Sequence, residues 1–246
     1  MIVWLASYPR SGNTLLRIAL SRGWGIPTDS VYKDGEIREI AVTSGLFEVG
    51  SASVYVEELR NDSATHFVKT HEFPSDDSPA IYVIRDGRDA IVSFAHYLEN
   101  FNPGDVAGLD FPQIIEKLIL GEIGFGSWGR HVEAWTDRQA PTILLRYEQL
   151  MSDPFGVLQK ALRGQFGLSG LMDSRPFPCF SELHLQDPRF FRRGRSGNWR
   201  LELSAQNMAL FELHHGAMLE RIGYRGLPYD GLMPLDTSTQ VPVLHS

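Results

Sequence analysis

Residues Ile2 to Leu20, IVWLASYPRSGNTLLRIAL, read as a buried strand, a tight loop and an amphipathic helix in direct succession. Ile2, Val3, Trp4 and Leu5 form a short apolar run of the kind that helices cover on both faces, and Ser7-Tyr8-Pro9 breaks it. Leu15, Leu16, Ile18, Ala19 and Leu20 then recur at helical spacing, which puts Ser11-Gly12-Asn13-Thr14 at the helix start. A helix start carries N–H groups without intrahelical acceptors and the positive end of the helix dipole, so a loop there suits an anion. Gly12 permits close backbone approach, Ser11 and Thr14 add hydroxyls, and Arg10 adds a permanent cation whose fork matches phosphate or sulfate. The competing reading is an ordinary strand-to-helix turn in which Ser and Asn only cap the helix. No GxxxxGK[ST] sequence follows, which weakens an ATP-driven reading.

A chain of 246 residues can bury a sizeable core, and it reads as one domain over 1–246 with an irregular tail after about 226. The formal net charge of −7 argues against a nucleic-acid surface, which rests on clustered cation excess, but leaves room for a local anion pocket. Only four of the 23 basic residues are lysines, so arginine supplies most of the positive charge. Cys179 is the only cysteine, which excludes internal disulfides and thiolate metal clusters. No leader pattern and no run of about 18 apolar residues is seen, so the expectation is a cytoplasmic protein without a membrane span.

Further along, HFVKT at 66–70, AIYVIR at 80–85 and TILLRY at 142–147 look like buried strands. Helical spacing returns at 86–98, 111–121, 127–138, from the Ser152-Asp153-Pro154 cluster to about Phe166, and at about 203–221. Residues 23–65 show little periodicity, and 169–200 carry Pro, Arg and Gly without a core pattern, as a lid or a surface loop. The alternation predicts an α/β fold: a P-loop-like parallel sheet flanked by helices on both sides, with ligands at the carboxyl ends of the strands.

Three more clusters fall at such strand ends. Lys69-Thr70-His71 places a cation beside an imidazole, the side chain best suited to take a proton near neutral pH. Arg85-Asp86-Gly87-Arg88-Asp89 closes the AIYVI strand. Arg85 with Ser93 could grip a phosphate, or Asp86 could cap the helix while Arg88 and Asp89 are solvated. The segment from Phe191 to Arg200 holds four arginines and two glycines within ten residues, which suits wrapping around a compact anion.

Five segments in order, SYPRSGNT, VKTHEFP, IRDGRDAIVSFAHY, LLRYEQLMSDP and FRRGRSGNWR, resemble the cytosolic-type sulfotransferase family, which uses 3′-phosphoadenosine 5′-phosphosulfate (PAPS). The resemblance implies that Arg10, Ser11, Gly12, Asn13 and Thr14 hold the 5′-phosphosulfate. It implies that Arg85, Ser93, Arg192, Arg193 and Gly194 hold the 3′-phosphate, with Tyr147 and Phe180 near the adenine. His71 would be the base, with Lys69 and Arg10 stabilising the oxygens of the transferred group, and no metal is required. The acceptor would be a small molecule with a hydroxyl or, as a second choice, an amine. Trp24, Tyr32, Phe47, Tyr97, Phe101 and Phe125 could line its pocket, although ordinary core packing is the better account of most of them. Three departures from the family pattern stand out. Arg10 replaces the usual Lys and Leu15 the usual adenine-stacking aromatic, while the family's dimer signature survives only as Arg200, Ser204-Ala205 and Ala209, which leaves the oligomeric state open. A nucleotide kinase and a nucleotide-binding protein without catalysis are the alternative functions.

Overall fold

The computed structural model describes residues 1–32, 56–166 and 176–225. Phe47 and the tail from Gly226 lie outside them. Five strands form one sheet: β1 (Ile2–Ser7), β2 (Thr28–Ser30), β3 (His66–Thr70), β4 (Ala80–Ile84) and β5 (Thr142–Arg146), in the order β2-β3-β1-β4-β5. Every pairing is parallel. The strands after β1 go to opposite sides of it, β2 and β3 one way, β4 and β5 the other. In open parallel sheets such a divergence leaves a crevice at the carboxyl ends of the strands.

Side chains of β1 alternate between two cores, which is why its sequence is apolar from Ile2 to Ala6. Ile2, Trp4 and Ala6 pack with Tyr82 and Ile84 beneath α3 (Gly87–Phe101), α4 (Phe111–Leu120), α5 (Trp128–Thr136) and α10 (Ala205–Arg221). Val3 and Leu5 pack on the other face with Leu16, Leu20 and Trp24 of α1 (Asn13–Trp24), Leu150 of α6 (Tyr147–Ser152), and Leu158 and Leu162 of α7 (Pro154–Phe166). Both faces are therefore covered. A short α2 (Val56–Arg60), α8 (Phe180–Gln186) and α9 (Trp199–Glu202), with a 3₁₀ turn at Pro103–Val106, complete the described helices.

Several boundaries differ from the sequence reading: Arg85 falls outside β4 and the helix read at 86–98 runs on to Phe101. Tyr147 does not extend β5 but opens α6, and β2 lies in a stretch whose sequence carries no periodic signal. The strand is three residues long, and its Thr28 and Ser30 are buried polar residues.

The turn from β1 to α1 bends through two left-handed residues, Arg10 (φ 65°) and Gly12 (φ 109°). At Gly12 a Cβ would stand 2.8 Å from Cδ2 of the Tyr147 ring, so the turn needs glycine on both conformational and steric grounds. Gly12→Ala is expected to lower the unfolding free energy by about 1–3 kcal/mol through strain at this position, read from denaturant unfolding. An unchanged midpoint would mean that the turn is more tolerant than its geometry.

Two histidines are sealed in the helical layer, His131 in α5 and His215 in α10. The Nε2–H of His215 donates to the carbonyl of Ile119 (2.9 Å). Burial pulls both imidazoles down from the ordinary 6.5 to about 4. Between those values the unfolded chain takes up protons that the folded chain refuses. The stability from each neutral ring is thus present above 6.5 and lost as pH falls towards 4, about 3 kcal/mol for a shift of this size. His215→Gln is expected to flatten the pH dependence of unfolding stability below 6.5 relative to the native chain. Parallel curves for the two proteins would contradict this account.

Candidate active site

A cleft of about 750 Å³ opens at the carboxyl end of the sheet. Its floor is the β1–α1 loop. The α1 helix begins at Gly12 with no side-chain cap, so the reading in which Ser and Asn merely cap the helix does not hold. Asn13 turns its Nδ2 back into the fold instead, donating to the Leu5 carbonyl (2.8 Å) and Ser7 Oγ (3.4 Å). The N–H groups of the first turn, Asn13 to Leu15, therefore have no acceptor within the helix. Ser11 departs from expectation: its N–H closes the turn onto Tyr8 (3.2 Å), and its hydroxyl is buried without a hydrogen bond and does not line the cleft.

The other residues singled out in the sequence all line this one cavity: Arg10, Gly12, Asn13, Thr14, Lys69, His71, Arg85, Ser93, Tyr147, Phe180, Arg192, Arg193 and Gly194. Arg85, at the end of β4, lies over the Tyr147 ring (4.2 Å) and donates to the carbonyls of Arg10 and Arg195 (3.1 Å each), tying the first loop to the arginine segment. Its Nε is buried without a protein acceptor. Burial works against charge on Arg85, but Tyr147, Asp89, Glu148 and Asp86 outweigh it and raise its affinity for the proton. Arg10 points its Nε at Ser93 Oγ (3.3 Å), donates to the Phe190 carbonyl and stacks on the Phe190 ring (4.2 Å). Burial, and then the neighbouring Arg85, bring its pKa down to about 10, still charged at neutral pH.

Of the two alternatives at the β4 end, the helix cap is present and Arg85 is free of it. Asp86 caps α3 by accepting from the Arg88 N–H (2.9 Å), while Arg85 faces the cleft. Arg88 and Asp89 are not solvated charges. Arg88 pairs with Asp86 and lies over Trp199, and Asp89 accepts from the N–H groups of Gly197 (2.6 Å) and Trp199 (3.1 Å). Asp89 thus fastens the arginine segment to α3. In that segment Arg192 makes a two-pronged pair with Glu202 (3.1 and 3.2 Å), which Arg193 and His96 also approach. The Phe180 ring fills the space beside Gly194, where a Cβ would lie 2.1 Å from Cδ2.

On the opposite side of the loop, Lys69 is buried at the end of β3 with its Nζ 5.3 Å from the Tyr32 ring centre. His71 Nδ1 donates to the Ser7 carbonyl (2.8 Å), which leaves the acceptor lone pair of a neutral ring on Nε2. Its main-chain N–H donates to Tyr32 Oη (2.8 Å), and its ring stacks on Tyr32 (5.7 Å, 21°) with Phe125 at 5.6 Å. Tyr32, Tyr97, Phe101 and Phe125 all line the cleft, and Tyr97, Phe101 and Phe125 also pack against the core, whereas Trp24, at the end of α1, is a core residue only. Asp89, Glu202 and Phe190 were not foreseeable as site residues. They belong to the site through tertiary contact and carry no local signal. Among the described residues no cluster of His, Cys, Asp or Glu could hold a metal ion, and no helix is long and apolar enough to cross a membrane.

Comparison with known proteins fits this arrangement. Sulfotransferase 1A1 of Bos taurus is 24% identical over 249 residues, covering 86% of this chain and 81% of its own. Among solved structures, mouse sulfotransferase SULT7A1 complexed with PAP superposes with a TM-score of 0.64 at 22% identity, covering 90% of this chain and 88% of its own. Retinol dehydratase in complex with androsterone and the inactive cofactor PAP superposes with 0.58 at 19% identity, over 94% and 83%. At these identities the structural likeness speaks for the fold. The family model of the sulfotransferase domain matches residues 2–164, from β1 through α7, with the arginine segment beyond it. On that match the chain belongs to the sulfotransferase domain family and is a sulfotransferase.

Proposed function

We propose that the cleft binds PAPS across its polar half and a small hydroxylated acceptor across its aromatic half, in the cytoplasm, and that His71 is the base of sulfuryl transfer. One observation carries this reading: an uncapped helix start and an imidazole with its proton fixed on Nδ1 face a single cavity. The residues fit the donor nucleotide. The first-turn N–H groups, Thr14 and Lys69 suit the 5′ end, while Arg85, whose buried Nε has no acceptor, suits the 3′-phosphate together with Ser93, Arg192, Arg193 and Gly194. Tyr147 and Phe180 flank the space for the adenine. Leu15 lines the same wall, so fewer rings are on hand for stacking there.

PAPS supplies the activated sulfuryl group, whose bond to the 5′-phosphate oxygen breaks as a bond from the acceptor oxygen to sulfur forms. His71 Nε2 takes the acceptor's proton, a role worth about 10²–10⁴-fold for a positioned base. Lys69 and the loop N–H groups hold the charge that gathers on the leaving oxygen, with in-line geometry as in phosphoryl transfer. Tyr32 and Phe125 lie against His71 and Phe94, Tyr97 and Phe101 line the same cleft, which suits an acceptor with a flat or apolar skeleton. Androsterone in the retinol dehydratase complex is a ligand of that shape.

His71→Ala is expected to abolish turnover while leaving calorimetric affinity for adenosine 3′,5′-bisphosphate within a few-fold of the native chain. Native-like turnover of PAPS with a hydroxyl acceptor, found by screening phenols, sterols and sugars with labelled donor, would remove His71 from the mechanism. Arg85→Ala is expected to weaken the 3′,5′-bisphosphate by about 1.5–3 kcal/mol, the range for a hydrogen bond to a charged group, and to spare AMP. Equal losses for the two nucleotides would place Arg85 elsewhere.

A further inference from the structure

Outside the cleft-lining residues, one buried polar constellation touches the catalytic segment. In α5, His131 and Trp135 stand one turn apart on the same face, both fully enclosed. Their ring N–H groups donate to two consecutive main-chain carbonyls just past β3. His131 Nε2 donates to the His71 carbonyl (2.9 Å) and Trp135 Nε1 to the Glu72 carbonyl (3.0 Å). With Nε2 committed as donor, His131 Nδ1 is the acceptor for the hydroxyl of Tyr82 in β4 (2.9 Å). The Tyr82 ring stacks on Trp135 (5.9 Å, 13°), closing the set. Neither His131 nor Tyr82 lines the cleft.

We propose that Tyr82, His131 and Trp135 form a positioning clamp for His71, fixing the main chain of residues 71 and 72 so that the imidazole keeps its Nδ1–H on the Ser7 carbonyl and its Nε2 towards the acceptor. The inference rests on the reading of His71 as base. Its physical content is restraint from three sides. Tyr32 accepts from the His71 N–H, the Ser7 carbonyl accepts from its ring, and His131 holds its carbonyl. Of these only the His131 bond comes from the helical layer behind the sheet. A neutral His131 is suited to the task because it can donate and accept at once. Burial keeps it neutral well below physiological pH. Small displacements of a reacting group reduce rates steeply, so the clamp acts on kcat rather than on donor binding.

The test uses the full chain with nitrogen-labelled histidine. In the native protein His71 is expected to show a single fixed tautomer protonated at Nδ1. His131→Leu, which removes the donor, is expected to release it to rapid tautomer averaging, and His131→Gln, which restores an N–H at similar reach, to recover the fixed form. Adenosine 3′,5′-bisphosphate affinity is expected to stay within a few-fold in both. With an acceptor from the screen, kcat is expected to fall about 10- to 100-fold in His131→Leu at little change in KM for PAPS, and to recover in His131→Gln. Should His131→Leu fail to fold, Tyr82→Phe removes only the hydroxyl that orients His131 and is expected to mobilise the same tautomer in part. A His71 ring that remains fixed in both variants overturns the clamp. Full turnover by His71→Ala overturns the base reading instead and leaves the tautomer result standing, so the two failures are distinguishable.

Discussion

The left-handed turn at Gly12 against the Tyr147 ring is the constraint from which the rest of the site follows. It aims the first turn of α1 into the cleft and leaves no side chain to satisfy that turn's N–H groups. Unsatisfied donors at a helix start need an anion, water or a cap, and here the cap is missing by construction. Tyr147 opens α6 directly after β5, so the loop after one central strand is shaped by the helix start after an edge strand. Arg85, from the end of the strand between them, then ties the turn's Arg10 carbonyl to the arginine segment. Three carboxyl ends of one parallel sheet are thereby locked into a single surface.

That surface carries concentrated positive charge in an acidic protein, and a set of carboxylates behind it makes this possible. Asp86 and Asp89 are buried and engaged by hydrogen bonds, Asp89 to the backbone of the arginine segment and Asp86 to Arg88. Glu148 sits beside them, accepting from Tyr224 (2.6 Å), with burial raising its pKa. For Glu202 burial acts in the same direction, but the hydrogen bonds from Arg192 and His96 outweigh it and hold its carboxyl below the usual range. Buried guanidinium groups without such partners would repel one another; at Arg10, burial first and the Arg85 charge second lower the pKa. The acids therefore set where the arginines stand as well as whether they remain charged. An incoming dianion meets an array whose assembly has already been offset inside the fold.

Much of this was legible in the sequence because it is local. Apolar runs bounded by Ser-Tyr-Pro or Asp-Gly announce strands that end in a site, and helical spacing after them announces the crossover helices. Short-range chemistry was also readable, including the Asp86 cap and the glycine of the first loop. What depends on distant partners was not. Asp89 looks like any first-turn acid until Gly197 and Trp199 arrive from 108 and 110 residues away. His131 sits in an amphipathic stretch, and only the fold reveals that its partners are a tyrosine hydroxyl and the carbonyl of His71. Strand β2 is three residues of polar sequence held by backbone pairing to β3, a register no side-chain pattern encodes.

The aromatic residues show a subtler limit. Phe94, Tyr97, Leu98 and Phe101 recur along α3 at the spacing of a core face, and they do pack on one another, Tyr97 against Phe101 at 5.0 Å and Phe94 against Tyr97 at 6.3 Å. A core wall and a pocket wall ask for the same side chains, and the difference is whether the last neighbour is protein or ligand. In α3 that face carries Asp89 and Ser93 in its first half and Tyr97 and Phe101 in its second, all lining one cleft. Arg10 marks the junction, with Ser93 on its Nε, Phe190 at 4.2 Å and Tyr97 at 5.4 Å. The polar and aromatic walls of the cleft are therefore not separate modules. Both are carried by one helix, so their relative position is set by the packing of α3 on the sheet.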